Sequence, residues 1–247
     1  MPARSQPKVF DSTEGMTDVC KQSLRHLLIA CADTKLLLGY HYGEWTFGPP
    51  EIEAAIACCS LCQTELGHVR LLHAILNKHY GHDPDELVEK RKPEEFANIA
   101  YLDREIKDWS EFVAANYVVD LAVTSLLYSM KQSSFKPLHM SLEKMLQEER
   151  YHVHHGQGWF RTLAKKNKDT KAAIETTGKR ALSNVVEWFG PPDTEEDQEL
   201  VHAGIKAESN GQILQNLLSE LGKVSDTLNV DLGLTKQNGG WQFHEAP

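Results

Sequence analysis

Apolar residues recur at intervals of three and four along most of the chain, a period that predicts helices and fixes their approximate limits. From residue 17 to about 42, Leu24, Leu27, Leu28, Leu36, Leu37 and Leu38 keep this interval, with no Pro or Gly before Gly39, so a long first helix is expected. Gly48-Pro49-Pro50 stops it, and residues 51 to about 80 resume as a second helix, antiparallel to the first after a short loop. Residues 81–107 mix charge with the breaks Asp83-Pro84 and Lys92-Pro93 and read as a crossover carrying one or two short helices. Asp108 caps a third helix to about residue 132, and after Phe135-Lys136-Pro137 a fourth runs to about 166. Two further helices are expected over about 169–189 and 194–228, parted by Gly190-Pro191-Pro192. No useful length alternates as a strand, and no repeat of solenoid period is present. The expected division is a flexible N-terminus (1–16), one helical domain (17–228) and an extended or mobile tail (229–247).

Composition narrows the functional classes. A chain of 247 residues, 41% of them hydrophobic, is long enough to bury one substantial core. Its net charge of -9 argues against nucleic acid and anionic membranes as partners, leaving small molecules, metals and proteins. The first sixteen residues carry no apolar run of the secretory kind, and Asp33, Lys35, Glu65 and Asp120 interrupt the best candidates for a membrane span. Five cysteines, an odd number, suit a reducing compartment better than a disulfide framework, so a cytoplasmic protein is expected.

The two predicted hairpins share a pattern. Each has an acid on its first helix, Asp33 or Asp120, and Glu-x-x-His on its second, Glu65/His68 or Glu149/His152. Glu and His three apart lie on one helix face, where both reach one metal. Chance supplies such pairs, and a third occurs at Glu199/His202, read as a surface pair. The offsets carry more weight: at 1.5 Å per residue, Asp33 and Glu65 both stand about 15–21 Å above their loop, and Asp120 and Glu149 about 17–18 Å. Packed together, the hairpins bring four carboxylates and two imidazoles to one layer, and two divalent cations would balance the four acids. The fold class expected is all-α, a ferritin-like four-helix bundle with additional C-terminal helices, holding a metal pair on Asp33, Glu65, His68, Asp120, Glu149 and His152.

Over about residues 24–188 the chain resembles the phenylacetic acid catabolic family of ferritin-like proteins, whose members form the catalytic and structural subunits of bacterial phenylacetyl-CoA epoxidase. Ala32-Asp33-Thr34-Lys35-Leu36-Leu37-Leu38-Gly39 through Gly43-Glu44-Trp45 resembles the structural subunit, which typically lacks the iron motifs. Gln63-Thr64-Glu65-Leu66-Gly67-His68, Tyr117-Val118-Val119-Asp120 and Gln147-Glu148-Glu149-Arg150-Tyr151-His152 resemble the catalytic subunit. The resemblance implies two iron ions, with manganese as the alternative metal. It makes Glu65 and Glu149 the bridging, catalytic carboxylates, His68 and His152 terminal ligands, and Asp33 and Asp120 the acids closing each iron. It further implies oxygen activation for epoxidation or hydroxylation of an aromatic acyl-CoA such as phenylacetyl-CoA, with electrons from a reductase, other oxygenase subunits as partners, and a homodimer or hetero-oligomer. A non-catalytic structural subunit and a ferroxidase or iron-storage protein are the competing expectations.

Other candidates have plainer readings. Cys59 and Cys62 have redox-motif spacing but lie in mid-helix and read as packing, with Cys62 a possible pocket-lining residue. Of His152, His154 and His155 only the first has the core register. Tyr40, His41 and Glu44 read as capping the bundle end, and Trp109, Trp159 and Trp188 as packing.

Overall fold

The computed structural model describes residues 9–237 and 239–244; the remaining residues of the expected N-terminal segment and tail lie outside the described residues. Helix α1 (Asp18–Glu44) starts where the Thr17 hydroxyl accepts from the Cys20 amide at 3.1 Å. Its inward stripe is Leu24, Leu28, Cys31, Lys35, Leu38 and Tyr42, all buried. A 3-10 turn (Trp45–Phe47) leads to α2 (Ile52–Tyr80), which ends on Gly81 at φ +72°, the left-handed conformation that glycine adopts without strain. The crossover holds three short turns, Glu86–Lys90, Pro93–Glu95 and Ala100–Leu102.

The third rod departs from the expected continuous helix. It comprises α3 (Trp109–Ala114), one wide π turn (Ala115–Val119) and α4 (Asp120–Ser129). The turn faces Gly156 of α5 (Lys136–Lys166), where a Cβ would stand 2.9 Å from Asn116 O and Tyr117 Cα. Glycine therefore lets α5 lie against the widened backbone, just ahead of Asp120. The window 109–129 is apolar and long enough to cross a bilayer, but 89% of it is buried inside the bundle, so core packing accounts for its composition.

Helices α1, α2, the α3–α4 rod and α5 form the four-helix layer, and α6 (Lys168–Phe189), α7 (Glu195–His202) and α8 (Asn210–Leu228) pack onto it. The single helix expected over 194–228 is two: Gly204 turns the chain at φ +72°, and the Ser209 hydroxyl caps α8. The end of the chain also differs from an extended or mobile tail. Strands β1 (Leu234–Gln237) and β2 (Gly240–Phe243) pair antiparallel, Leu234 opposite Phe243, and Trp241 lies against Gly222 of α8. At the other end Phe10 is buried and bridges to Phe135, with Phe10 N donating to Ser134 O at 2.8 Å, so residues 9–16 are docked.

Candidate functional site

Stripe residue Lys35 brings an ammonium to the centre of the bundle. Its Nζ donates to Glu65 Oε1 at 3.0 Å, Asp120 Oδ1 at 2.8 Å and Glu149 Oε1 at 2.7 Å, and all four side chains are 0% exposed. Helices α1, α2, α4 and α5 each contribute one of these groups. The carboxylates occupy the layer that the hairpin spacing predicts, while α1 supplies a cation in place of an acid.

The imidazoles complete this arrangement. His152 Nδ1 lies 3.0 Å from both Glu65 Oε1 and Asp120 Oδ2, and its Nε2 lies 2.7 Å from Thr64 Oγ1. Thr64 Oγ1 also lies 3.0 Å from the carbonyl oxygens of Ser60 and Leu61, so its single hydroxyl proton is shared among those acceptors and the ring nitrogen. Burial opposes a charge on the ring, but Glu149 and Asp120 outweigh it and hold His152 well above its ordinary value. The same contest keeps Lys35 protonated: desolvation pulls it down, and Asp120, Glu149 and Glu65 raise it further. Burial would raise Glu149, but Lys35, His152 and His68 hold it well below the usual carboxylate range. Glu65 goes the other way, pushed up by burial and by its neighbours Asp120 and Glu149 against the pull of Lys35.

Other groups fix the acids in place. Thr124 Oγ1 donates to Glu149 Oε2 at 2.5 Å, and Tyr42 OH donates to Asp120 Oδ2 at 3.0 Å. Asn116, in the π turn, donates to Tyr42 OH at 3.2 Å and pairs with His155 Nδ1 at 2.7 Å. His155 is thus half-buried rather than solvated, and burial pushes it down to about 4. His68 Nε2 lies 2.8 Å from Glu148 Oε2, a carboxylate 28% exposed, and its Nδ1 stands 3.0 Å from Glu149 Oε1.

Asp33 is not part of this layer, although the spacing predicts it there. It is buried on the opposite side of α1, where Arg91 grips both its oxygens at 2.5 and 2.9 Å and Ala97 N donates at 2.9 Å. The physical reason is the helix period: residues 33 and 35 lie about 200° apart around α1, so only one can face the acids. The other expected ligands, Glu65, His68, Asp120, Glu149 and His152, converge. His41 is buried with its Nε2 2.9 Å from Leu102 O, whereas Tyr40 and Glu44 are exposed. Trp109 stacks on Phe112 at 4.6 Å and meets Trp159 edge-on at 5.1 Å. Glu199 accepts from Thr17 Oγ1 at 2.6 Å at the periphery.

Glu65, Asp120, Glu149 and His152 each present a ligand atom, all within 4.8 Å of one another, so these four could hold one metal ion. Beside them the buried Glu65 Oε2 lacks a hydrogen-bond partner among the described residues, and His68 Nδ1 faces Glu149 Oε1 at 3.0 Å. A pair of divalent ions would have to share this layer with the Lys35 ammonium. With Lys35 they would place five positive charges among three carboxylates, and the ammonium is bonded to each of those acids.

No curated protein matches the chain. Residues 6–245 match the family described as phenylacetic acid catabolic protein.

Proposed function

From the premise that this chain belongs to the phenylacetic acid catabolic protein family, we propose that it serves as a structural, non-catalytic subunit of a multisubunit oxygenase acting on an aromatic acyl-CoA such as phenylacetyl-CoA. The observation that carries this reading is Lys35, whose ammonium satisfies the three carboxylates that a metal pair would need. The layer then ties four helices together by charge and leaves oxygen chemistry to another subunit.

A second reading, a di-iron monooxygenase subunit, draws support from the two Glu-x-x-His pairs, from Asp120 and from the unpartnered Glu65 Oε2. It requires Lys35 to give up three hydrogen bonds in a site closed to water. Anaerobic titration with ferrous iron, followed by mixing with oxygen under stopped-flow absorbance, separates the two. The structural reading expects the wild type to retain no stoichiometric iron and show no oxygen-dependent transient, and the Lys35→Glu chain to gain tight iron binding. Two irons per wild-type chain and a transient absorption band would overturn it.

A further inference from the structure

Where α1, α4, α6, α7 and the loop before α8 meet, the fold leaves a cavity of about 380 Å³, within the range of small-molecule sites. None of its lining residues belongs to the Lys35 layer. Its walls are apolar: Leu27 of α1, Leu126 of α4, Trp188 and Phe189 of α6, and Leu200 of α7. Trp188 Nε1 donates to Ala97 O at 2.9 Å, which holds the indole in place and makes this wall pre-formed.

Two polar groups in the lining have unspent hydrogen-bonding capacity. Ser23, on α1, is 5% exposed, and its Oγ has no partner among the described residues. Lys206, 2% exposed, donates to Asn210 Oδ1 at 2.5 Å and pairs with Asp197, so one of its three ammonium protons has no acceptor among the described residues. Its neighbours are committed elsewhere: Asn210 N donates to Asp197 Oδ2 at 2.9 Å, and Asn210 Nδ2 to Phe189 O at 3.2 Å. That network pins α7 to α8 and explains the buried ion pair, but it uses neither Ser23 nor the last Lys206 donor. A buried donor without an acceptor is destabilising, so a molecule that brings one is favoured there.

Charge narrows the class. Asp197 cancels the Lys206 charge, His26 Nε2 accepts from Arg25 at 3.3 Å, and Glu196 stands exposed at the mouth. An anion therefore meets no unpaired cation in this lining, and a cation would lie against the ammonium. We propose that the cavity binds a small uncharged molecule with an apolar body and a single hydrogen-bond acceptor, a ketone, ester or amide, whose oxygen accepts from Ser23 Oγ and Lys206 Nζ. This inference does not depend on how the Lys35 layer is read.

Two-dimensional proton–nitrogen NMR on the full-length chain tests it, with acetophenone, ethylbenzene and benzoate as probes of similar size. Acetophenone is expected to shift the Trp188 indole and the Ser23 and Lys206 amides along one saturable curve. Ethylbenzene, which lacks the acceptor, is expected to bind about tenfold more weakly, and benzoate to leave these resonances unmoved. Ser23→Ala removes a hydroxyl that has nothing to bond, so the melting temperature should hold or rise while acetophenone affinity falls about fivefold. Ala30→Phe fills the cavity from α1 and should abolish binding with helical content retained. The absence of a saturable acetophenone shift overturns the proposal, as does equal or tighter binding of either comparison probe. An unchanged affinity in Ser23→Ala overturns it too, and binding that survives Ala30→Phe would put the molecule elsewhere.

Discussion

Three hydrogen bonds exhaust the donors of the Lys35 ammonium, and each goes to an acid on a different helix. Removing one partner from such a buried group leaves charge without compensation, which costs about 3–5 kcal/mol. Lys35→Met should therefore lower stability by about that much, measured as a drop in the urea midpoint at neutral pH. Protonation gives a second handle. The folded His152 binds its proton more tightly than the ordinary value of 6.5, so its stabilisation is complete below that pH and is lost as pH rises through the raised folded value. Glu149 acts on the acid side, where its contribution disappears as pH falls below the ordinary 4.5 toward the depressed folded value. The expected profile declines from pH 6 toward pH 9, and His152→Gln should flatten that limb. A wild-type midpoint constant over this range would contradict the raised proton affinity of the folded His152.

Helix α1 shows what its sequence revealed and what it concealed. Leu24, Leu28, Cys31, Leu38 and Tyr42 keep the core period, and continuing that period lands on Lys35, not Asp33. The signal was present, but a lysine in an apolar run reads as an interruption, and an acid facing two Glu-x-x-His motifs invites a metal. Asp33 instead anchors the crossover, which comes from a stretch whose path no periodicity discloses. Asp33→Ala should speed hydrogen exchange over residues 86–99, where Arg91 and Ala97 lose their acceptor, while Lys35 keeps its three bonds. The π turn before Asp120 was equally hidden, since its residues continue the apolar helical run and the partner that accommodates it is Gly156, on another element. Gly156→Ala should destabilise the fold by about 1–3 kcal/mol through overpacking, seen as a lower melting temperature.

At the scale of the molecule, the helical period and the two acid-then-Glu-x-x-His hairpins made the bundle and its family legible, and they brought Glu65, Asp120, Glu149 and His152 to one buried cluster. The cluster's protonation state was not legible, because it depends on which side chains saturate which lone pairs at the centre. The C-terminal hairpin was also missed, since four-residue strands are too short to alternate visibly and their stability comes from Trp241 meeting Gly222. The central claim is that Lys35 supplies the cation of this layer. Anomalous diffraction at the iron edge, on crystals grown anaerobically with excess ferrous iron, tests it most directly. The account predicts Lys35 Nζ within hydrogen-bond distance of Glu65, Asp120 and Glu149, and no anomalous peak among them. Two peaks between those carboxylates, with the lysine displaced, would contradict it.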